Sequence, residues 1–472
     1  MKVRTRYAPS PTGYMHIGNL RTAIFEYLLA KKYNGDFILR IEDTDQERQV
    51  EGAIDFIYNT LDICGFKIDE GPNNEKGYGP YIQSERKDIY KEYALKLVEM
   101  GKAYYCFCSE EELANMRARA DERKKPFLYD GRCSRLSKEK IEENLKNGVP
   151  YVIRQKMPKT GETLVEDVIY GKIKIDNSIL DDQILLKSDG FPTYNFANVI
   201  DDHLMEITHV IRGKEYLDQT AKYNLLYEAF GWEKPTYIHV AMVLGEDGNK
   251  LSKRNGDASF MDLYNQGYLP SAVVNYLVLL GWSPENNQEI FTMEELIKNF
   301  NETRISKSSS QYDVKKLQWF NHHYINNMSD EDYLNWIKKY FKNDCTGKSE
   351  EWINRLLLIY KSHLNYGNEI NELTKKFFDT NFEIEPDAEE FMNSDSQTKE
   401  VVKVFKECIE NTIDWTVDTL ANVINEVKEK AGVKGKMLYM PIRIAASGIM
   451  HGPELADTLY LIGKDEILRR IK

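Results

Sequence analysis

Residues 4–18 read RTRYAPSPTGYMHIG, and this stretch constrains the fold more than any other part of the chain. Residues 3–7 suit an extended strand, and Pro9, Pro11 and Gly13 then keep the following turn out of a helix. Beyond His16 and Gly18 the apolar positions Leu20, Ala23, Ile24, Tyr27 and Leu28 take helical spacing. Strand, stiff turn and helix N-terminus in succession present unpaired backbone N–H groups and a positive dipole, which suit phosphate. Gly18 leaves room for a flat ligand to approach the backbone, and His16 adds a side-chain donor at the same mouth. This region is read as nucleotide-binding.

Residues 245–254, GEDGNKLSKR, form a second element with two glycines, Lys250 and Lys253, and the hydroxyl of Ser252 between them. A solvated basic loop is the common fate of such a run. No Walker A loop competes for the phosphate role, because Gly347-Lys348-Ser349 has Lys342 where its leading glycine must stand.

His16-Ile17-Gly18-Asn19 after a first strand, with Lys-Leu-Ser-Lys-Arg far downstream, resembles the paired signatures of class I aminoacyl-tRNA synthetases. RYAPSPTG, FPTYNFANVIDDHLMEITHVIRG and KGKMLYMPIRIAASGIMHGPELADTLYLIG are similar to the glutamyl-tRNA synthetase family, and the likeness spans nearly the whole chain. The resemblance implies ATP-dependent attachment of L-glutamate to tRNA(Glu) through glutamyl-adenylate, with Mg²⁺ accompanying the ATP. It places Arg6 and Arg212 at the glutamate side chain, Glu42 at the α-ammonium, and Ser10, Tyr194 and Asn198 as neutral partners. The Arg fork matches a carboxylate. ATP falls to Ser10, His16, Gly18, Asn19 and Glu215 with Lys250 and Lys253; His16, Lys250, Ser252 and Lys253 are the catalytic candidates. The family's first signature often ends in His; Asn19 stands there, so His16 carries more of the phosphate side.

Relatives of other kinds fit less well. A short enzyme that glutamylates a modified tRNA base lacks a counterpart to residues 329–472, and RYAPSPTG disfavours glutaminyl-tRNA synthetase. A metabolic nucleotidyltransferase would share the His-x-Gly turn without the second signature. The sequence names no anticodon-facing side chains, so tRNA(Gln) stands beside tRNA(Glu) as a second candidate partner.

At 472 residues two to four domains are expected. The reading is α/β: a doubly wound, Rossmann-like parallel-sheet catalytic domain (1–105 and 183–255) with an inserted α/β acceptor-end-binding domain (106–182). A helical stem-contact connector (256–328) and an all-helical anticodon-binding region (329–472) follow. Ser329 is a capped helix start; residues 416–430 carry a stripe of Val417, Leu420, Ile424 and Val427 with Gly432 as the stop.

A net charge of −12 disfavours indiscriminate nucleic-acid binding. Local basic groups remain for a specific RNA: Arg117, Arg119, Arg123, Lys124 and Lys125, and separately Arg304, Lys307, Lys315 and Lys316. For any one of them a solvated face is an equal reading. The richest apolar run, residues 272–282, is too short for a membrane span and the N-terminus lacks a signal core. Six cysteines in so long a chain suit a reducing cytoplasm, and a monomer is expected.

Cys106, Cys108 and Cys133 raise a metal question, since some members of the family hold zinc in this insertion with a fourth ligand two residues past the third cysteine. Here that residue is Arg135, and no histidine lies between His16 and His203. Only Tyr129, Asp130 or water is left, so zinc is not expected, no metal ligands are assigned, and three reduced thiols are.

Overall fold

The computed structural model describes residues 2–13, 15–124, 126–249, 251, 259–379 and 381–471. The chain divides into two compact units, Met1–Asp262 with Val274–Asp313, and Leu263–Val273 with Val314–Lys472.

The strands of three or more residues in the first unit are β1 (Arg4–Tyr7), β2 (Asp36–Leu39), β3 (Ala103–Cys106), β4 (Val152–Gln155), β5 (Glu162–Asp167), β6 (Gly171–Asp176), β7 (Ile184–Leu186), β8 (His209–Gly213) and β9 (Thr236–Val240). β1 and β2 are buried at every position, as parallel strands covered on both faces must be. They pair in parallel, Arg4 opposite Asp36 and Tyr7 opposite Leu39. Between them runs α1 (Ile17–Lys32). All five residues of its expected apolar stripe are buried, and so are Phe25, Leu29 and Ala30, so α1 is covered on more than one face.

The Thr208 N–H donates to Arg4 O at 3.0 Å, which sets β8 beside β1. β8 and β9 then pair in parallel, Arg212 directly opposite His239. The sheet continues in the order β6-β5-β9-β8. Its outer hairpin, β5–β6, comes from the middle of the 106–182 segment, and Asp167 pairs with Tyr237. β3, β4 and β7 instead make a separate antiparallel sheet. The strand expected to resume the parallel alternation near residue 183 therefore sits in that small sheet. Period-two patterning marks a segment as a strand; it does not say which edge the strand will meet.

The second unit is helical. Ser329 caps Asp330–Ile337, its hydroxyl accepting from the Asp332 N–H at 3.1 Å. Thr416 caps Val417–Ala431, and Gly432 ends that helix at φ +64°. Its buried stripe is Leu420, Val423, Ile424 and Val427, with Val417 only half-buried. One core gathers around Phe405, Leu438, Ile442 and Leu459; another forms around Tyr333, Leu356, Leu357 and Tyr360. No described helix is long and apolar enough to cross a membrane.

The apolar stretch at 263–282 is two helices, Phe260–Gln266 and Pro270–Leu279, parted at Gly267 with φ +94°. A Cβ there would lie 2.5 Å from both the Cα and the N of Gly367. The two backbones bond at this point, the Gly367 N–H to Gly267 O at 3.1 Å and the Asn368 N–H to Gln266 O at 2.9 Å. Gly267→Ala is expected to destabilise the second unit by about 3 kcal/mol, from a strained φ and a backbone clash together. Urea unfolding measures it; an unchanged midpoint would show that this crossing yields freely.

Candidate active site

A cavity of about 310 Å³ opens where β1, β8 and β9 end, bounded by Tyr7 to Ser10, by Arg212 and Gly213, and by Val240 onward. Carboxyl ends of parallel strands are where such sheets take ligands. The start of α1 forms a further wall with His16, Gly18 and Asn19. His16 is the N-cap: its Nδ1 accepts from the Gly18 N–H at 3.0 Å, which places the proton of the neutral ring on Nε2. The glycine also has a structural reason. A Cβ at 18 would stand 2.8 Å from His16 Cε1, so glycine makes room for the capping imidazole itself.

Arg6, Glu42, Tyr194, Arg212 and Glu215 all line this cavity, brought together from four parts of the sequence. Ser10 and Asn19 line its exposed mouth. Asn198 does not line it; it is buried on the helix Tyr194–Leu204 with Nδ2 unpartnered. Lys250, Ser252 and Lys253 lie outside the described residues.

Neither arginine is a surface ion pair. Arg6 is buried; its Nε donates to Asp202 at 3.0 Å and its Nη1 to Glu26 at 3.3 Å. Burial pulls its pKa down, but Asp202 and the other carboxyls carry it above the ordinary arginine value. Asp202 also takes Arg40 Nη1 at 2.8 Å, and Arg40 Nη2 holds Glu42 Oε1 at 2.9 Å. Burial disfavours charge on Asp202, yet Arg6 and Arg40 keep its carboxyl below the usual range. Glu42 is pushed up by burial against the pull of Arg40 and Arg6, and its Oε2 has no partner. Glu26, which also lines the cavity, has an unpartnered Oε2 as well, so the site contains two buried carboxylate oxygens suited to a cation.

Arg212 has the complementary deficit. Its Nε donates to His239 Nε2 at 3.1 Å and its Nη2 to the Thr220 hydroxyl at 2.8 Å. The faces of Tyr223, Tyr237 and Tyr216 surround the guanidinium at 4.6, 5.4 and 5.6 Å. Among the described residues no carboxylate pairs with it. A buried cation with ring faces and neutral acceptors awaits an anion.

Sequence reasoning missed Arg21, one turn into α1. It lines the cavity, is 3 % exposed, and donates Nη1 to Leu280 O at 2.5 Å and Nη2 to Ala241 O. Burial lowers its pKa to about 10, with Glu215 opposing. Its spacing from Gly18 is the one local signal; the carbonyls that hold it come from remote sequence. Tyr216, ring centroid 5.4 Å from that of Tyr194, was missed likewise.

Away from the cavity, the sulfurs of Cys106, Cys108 and Cys133 converge within 4.8 Å of one another. Tyr129 Oη stands 3.4 Å from Cys106 Sγ and 3.3 Å from Cys108 Sγ, and the Cys108–Cys133 Sγ separation is 3.6 Å. Zinc bonds of roughly 2.3 Å to sulfur and 2.0 Å to oxygen make tetrahedral edges of about 3.5–3.8 Å, close to these three separations. Hydrogen bonding from Cys133 pulls the Cys106 thiol down against burial, while Cys108 and Tyr129, by burial, and Cys133, by its bond to Cys106, are pushed up. Asp130 is engaged by Arg132 at 2.8 Å. Tyr129 Oη thus stands beside the three sulfurs, at the place where the sequence left only Tyr129, Asp130 or water to complete a donor set.

The basic groups Arg117, Arg119, Arg123 and Lys124 are exposed, as are Arg304, Lys307 and Lys315; Lys316 is half-buried, and Lys125 lies outside the described residues.

A family model described as "tRNA synthetases class I (E and Q), catalytic domain" matches residues 2–319, and one described as "Anticodon binding domain" matches 329–472. The chain belongs to the class I tRNA synthetases of the E and Q type, and is an aminoacyl-tRNA ligase. Among similar proteins, the glutamate–tRNA ligase of Clostridium novyi is 51 % identical, covering 100 % of this chain and 97 % of the relative. That of Clostridium acetobutylicum is 48 % identical over 100 % and 98 %. The crystal structure of a glutamate tRNA ligase from Elizabethkingia meningosepticum in complex with its amino acid superposes with a TM-score of 0.91 at 36 % identity, covering 100 % of this chain and 98 % of that one.

Proposed function

We infer that this enzyme is a glutamate–tRNA ligase. The α-carboxylate of L-glutamate attacks the α-phosphate of ATP, pyrophosphate leaves, and the glutamyl group passes from the adenylate to the 3′-terminal adenosine of tRNA(Glu). ATP enters accompanied by Mg²⁺. The observation that carries the reading is Arg212, a buried guanidinium without a carboxylate partner among the described residues, lining the same cavity as Glu42 with its unpartnered Oε2. One supports an anionic side chain, the other an α-ammonium. Arg6 assists from within its ion network, and Ser10 and Tyr194 offer hydroxyls; Asn198 is buried and does not line the cavity.

His16, Gly18 and Asn19 form the phosphate side, with Glu215 toward the ribose or the adenine amine. Lys250, Ser252 and Lys253 are assigned to the phosphates from the sequence. Residues 106–182 are read as receiving the acceptor end, 256–328 the stem and 329–472 the anticodon. The enzyme is taken to work as a monomer in the cytoplasm.

Aminoacylation with labelled glutamate and purified tRNA(Glu) tests the reading. An acid-precipitable glutamyl ester is expected, and none on any tRNA would overturn it. The same assay with tRNA(Gln) decides whether the enzyme has one tRNA partner or two.

Cys106, Cys108, Cys133 and Tyr129 are read as holders of a structural Zn²⁺ in the 106–182 segment. Such an ion would couple the thiols to the folding of their surroundings. Elemental analysis after dialysis is expected to find close to one zinc per chain, and clearly less in Tyr129→Phe. Zinc-free wild-type protein with all three thiols freely titratable would return the cluster to ordinary cysteines.

A further inference from the structure

Three neighbouring strands place Asp167, His239 and Arg212 in a row: Asp167 ends β5, His239 lies on β9, and Arg212 lies opposite it on β8. Asp167 Oδ2 accepts from His239 Nδ1 at 2.7 Å and from the His239 backbone N–H at 2.9 Å. The other oxygen accepts from the Ile169 and Tyr170 N–H groups, both at 2.8 Å, so the carboxylate cannot turn away. With its proton on Nδ1, the neutral imidazole presents a lone pair at Nε2, and there Arg212 Nε donates at 3.1 Å. The Thr220 hydroxyl lies 3.2 Å from the same Nε2 and donates to Tyr216 O, which leaves it as an acceptor for Arg212 Nη2. His239 and Asp167 are both buried.

We propose that His239, held as its Nδ1–H tautomer by Asp167, is a positioning residue that sets the orientation in which Arg212 meets the substrate carboxylate. The proposal rests on the reading that Arg212 binds the glutamate side chain. The opposite tautomer would aim an N–H at the Arg212 Nε–H and turn the guanidinium away. An acceptor at Nε2 and one at Thr220 together engage Nε and Nη2, and Nη1 is left with no hydrogen bond to the described residues. The arrangement also means that the arginine choosing the amino acid takes its orientation, through one imidazole, from β5 of the 106–182 segment. Losing one hydrogen bond to a charged group in a buried site corresponds to about ten- to a hundredfold in affinity.

The test combines kinetics with a tautomer measurement. His239→Phe keeps a ring but no acceptor; the glutamate KM should rise about tenfold or more, while the ATP KM and kcat move little. His239→Gln, whose amide oxygen can accept from Arg212, should recover most of the loss. In ¹⁵N-histidine-labelled wild-type enzyme the His239 resonances, assigned by their absence from the Gln variant, should show a protonated Nδ1 and an unprotonated Nε2. A protonated Nε2 overturns the proposal even if the Phe variant does not fold. So does a folded Phe variant with an unchanged glutamate KM, provided Arg212→Ala raises it; if Arg212→Ala leaves it unchanged, the reading of Arg212 itself fails.

Discussion

Arg212→Ala is expected to lower kcat/KM for glutamate by about 10²–10³-fold while the ATP KM stays within about twofold. The size follows from the surroundings. Among the described residues Arg212 has hydrogen bonds to an imidazole and a hydroxyl and contacts with three aromatic faces, but no carboxylate. A substrate carboxylate entering there is desolvated and depends on the guanidinium for compensation. Removing the cation leaves that anion buried and unpaired, the costly arrangement for any charge pair. For the same reason the wild-type enzyme should reject glutamine steeply, because a neutral amide would leave Arg212 itself unpaired. Pyrophosphate exchange with tRNA present, run across glutamate concentrations, gives the number. An unchanged kcat/KM would make Arg212 a structural residue.

Lys253→Ala should act on the other half of the reaction. Charge grows on the phosphoryl oxygens as pyrophosphate leaves, and a cation placed for that moment stabilises the transition state more than bound ATP. A fall in kcat of about 10²-fold or more is expected, with a much smaller change in ATP affinity. The assignment comes from the loop GEDGNKLSKR, since Lys253 lies outside the described residues. Single-turnover adenylate formation isolates the chemical step; a near wild-type rate there would refute the role.

The site was legible wherever neighbouring residues determine one another. The turn after β1, the helix that starts behind His16 and the capped helices at Ser329 and Thr416 could be read because caps, proline, glycine and apolar spacing act within a few residues. The motif match then brought Arg6, Glu42, Tyr194 and Arg212 into one list, and the cavity brings the same four together in space. Within that list the sequence could not tell the two arginines apart. Arg6 is already paired with Glu26 and Asp202, and Arg212 has no carboxylate among the described residues; the difference depends on partners 20 and 196 positions from Arg6, and on His239 and Thr220 around Arg212.

By itself, then, the sequence determined the strand–turn–helix unit, the amphipathic stripes and the residue types the chemistry requires, because these are matters of local sterics and periodicity. Only the tertiary structure decided that the β5–β6 hairpin joins the parallel strands while β7 does not. It also decided that Gly18 makes room for an imidazole, that the Tyr129 hydroxyl stands against the Cys108 thiol, and that Asp167 reaches Arg212 through His239. Each of these depends on which remote segments lie side by side. Strand alternation and residue spacing carry no information about that choice; it is made by the burial and hydrogen bonding of the folded whole.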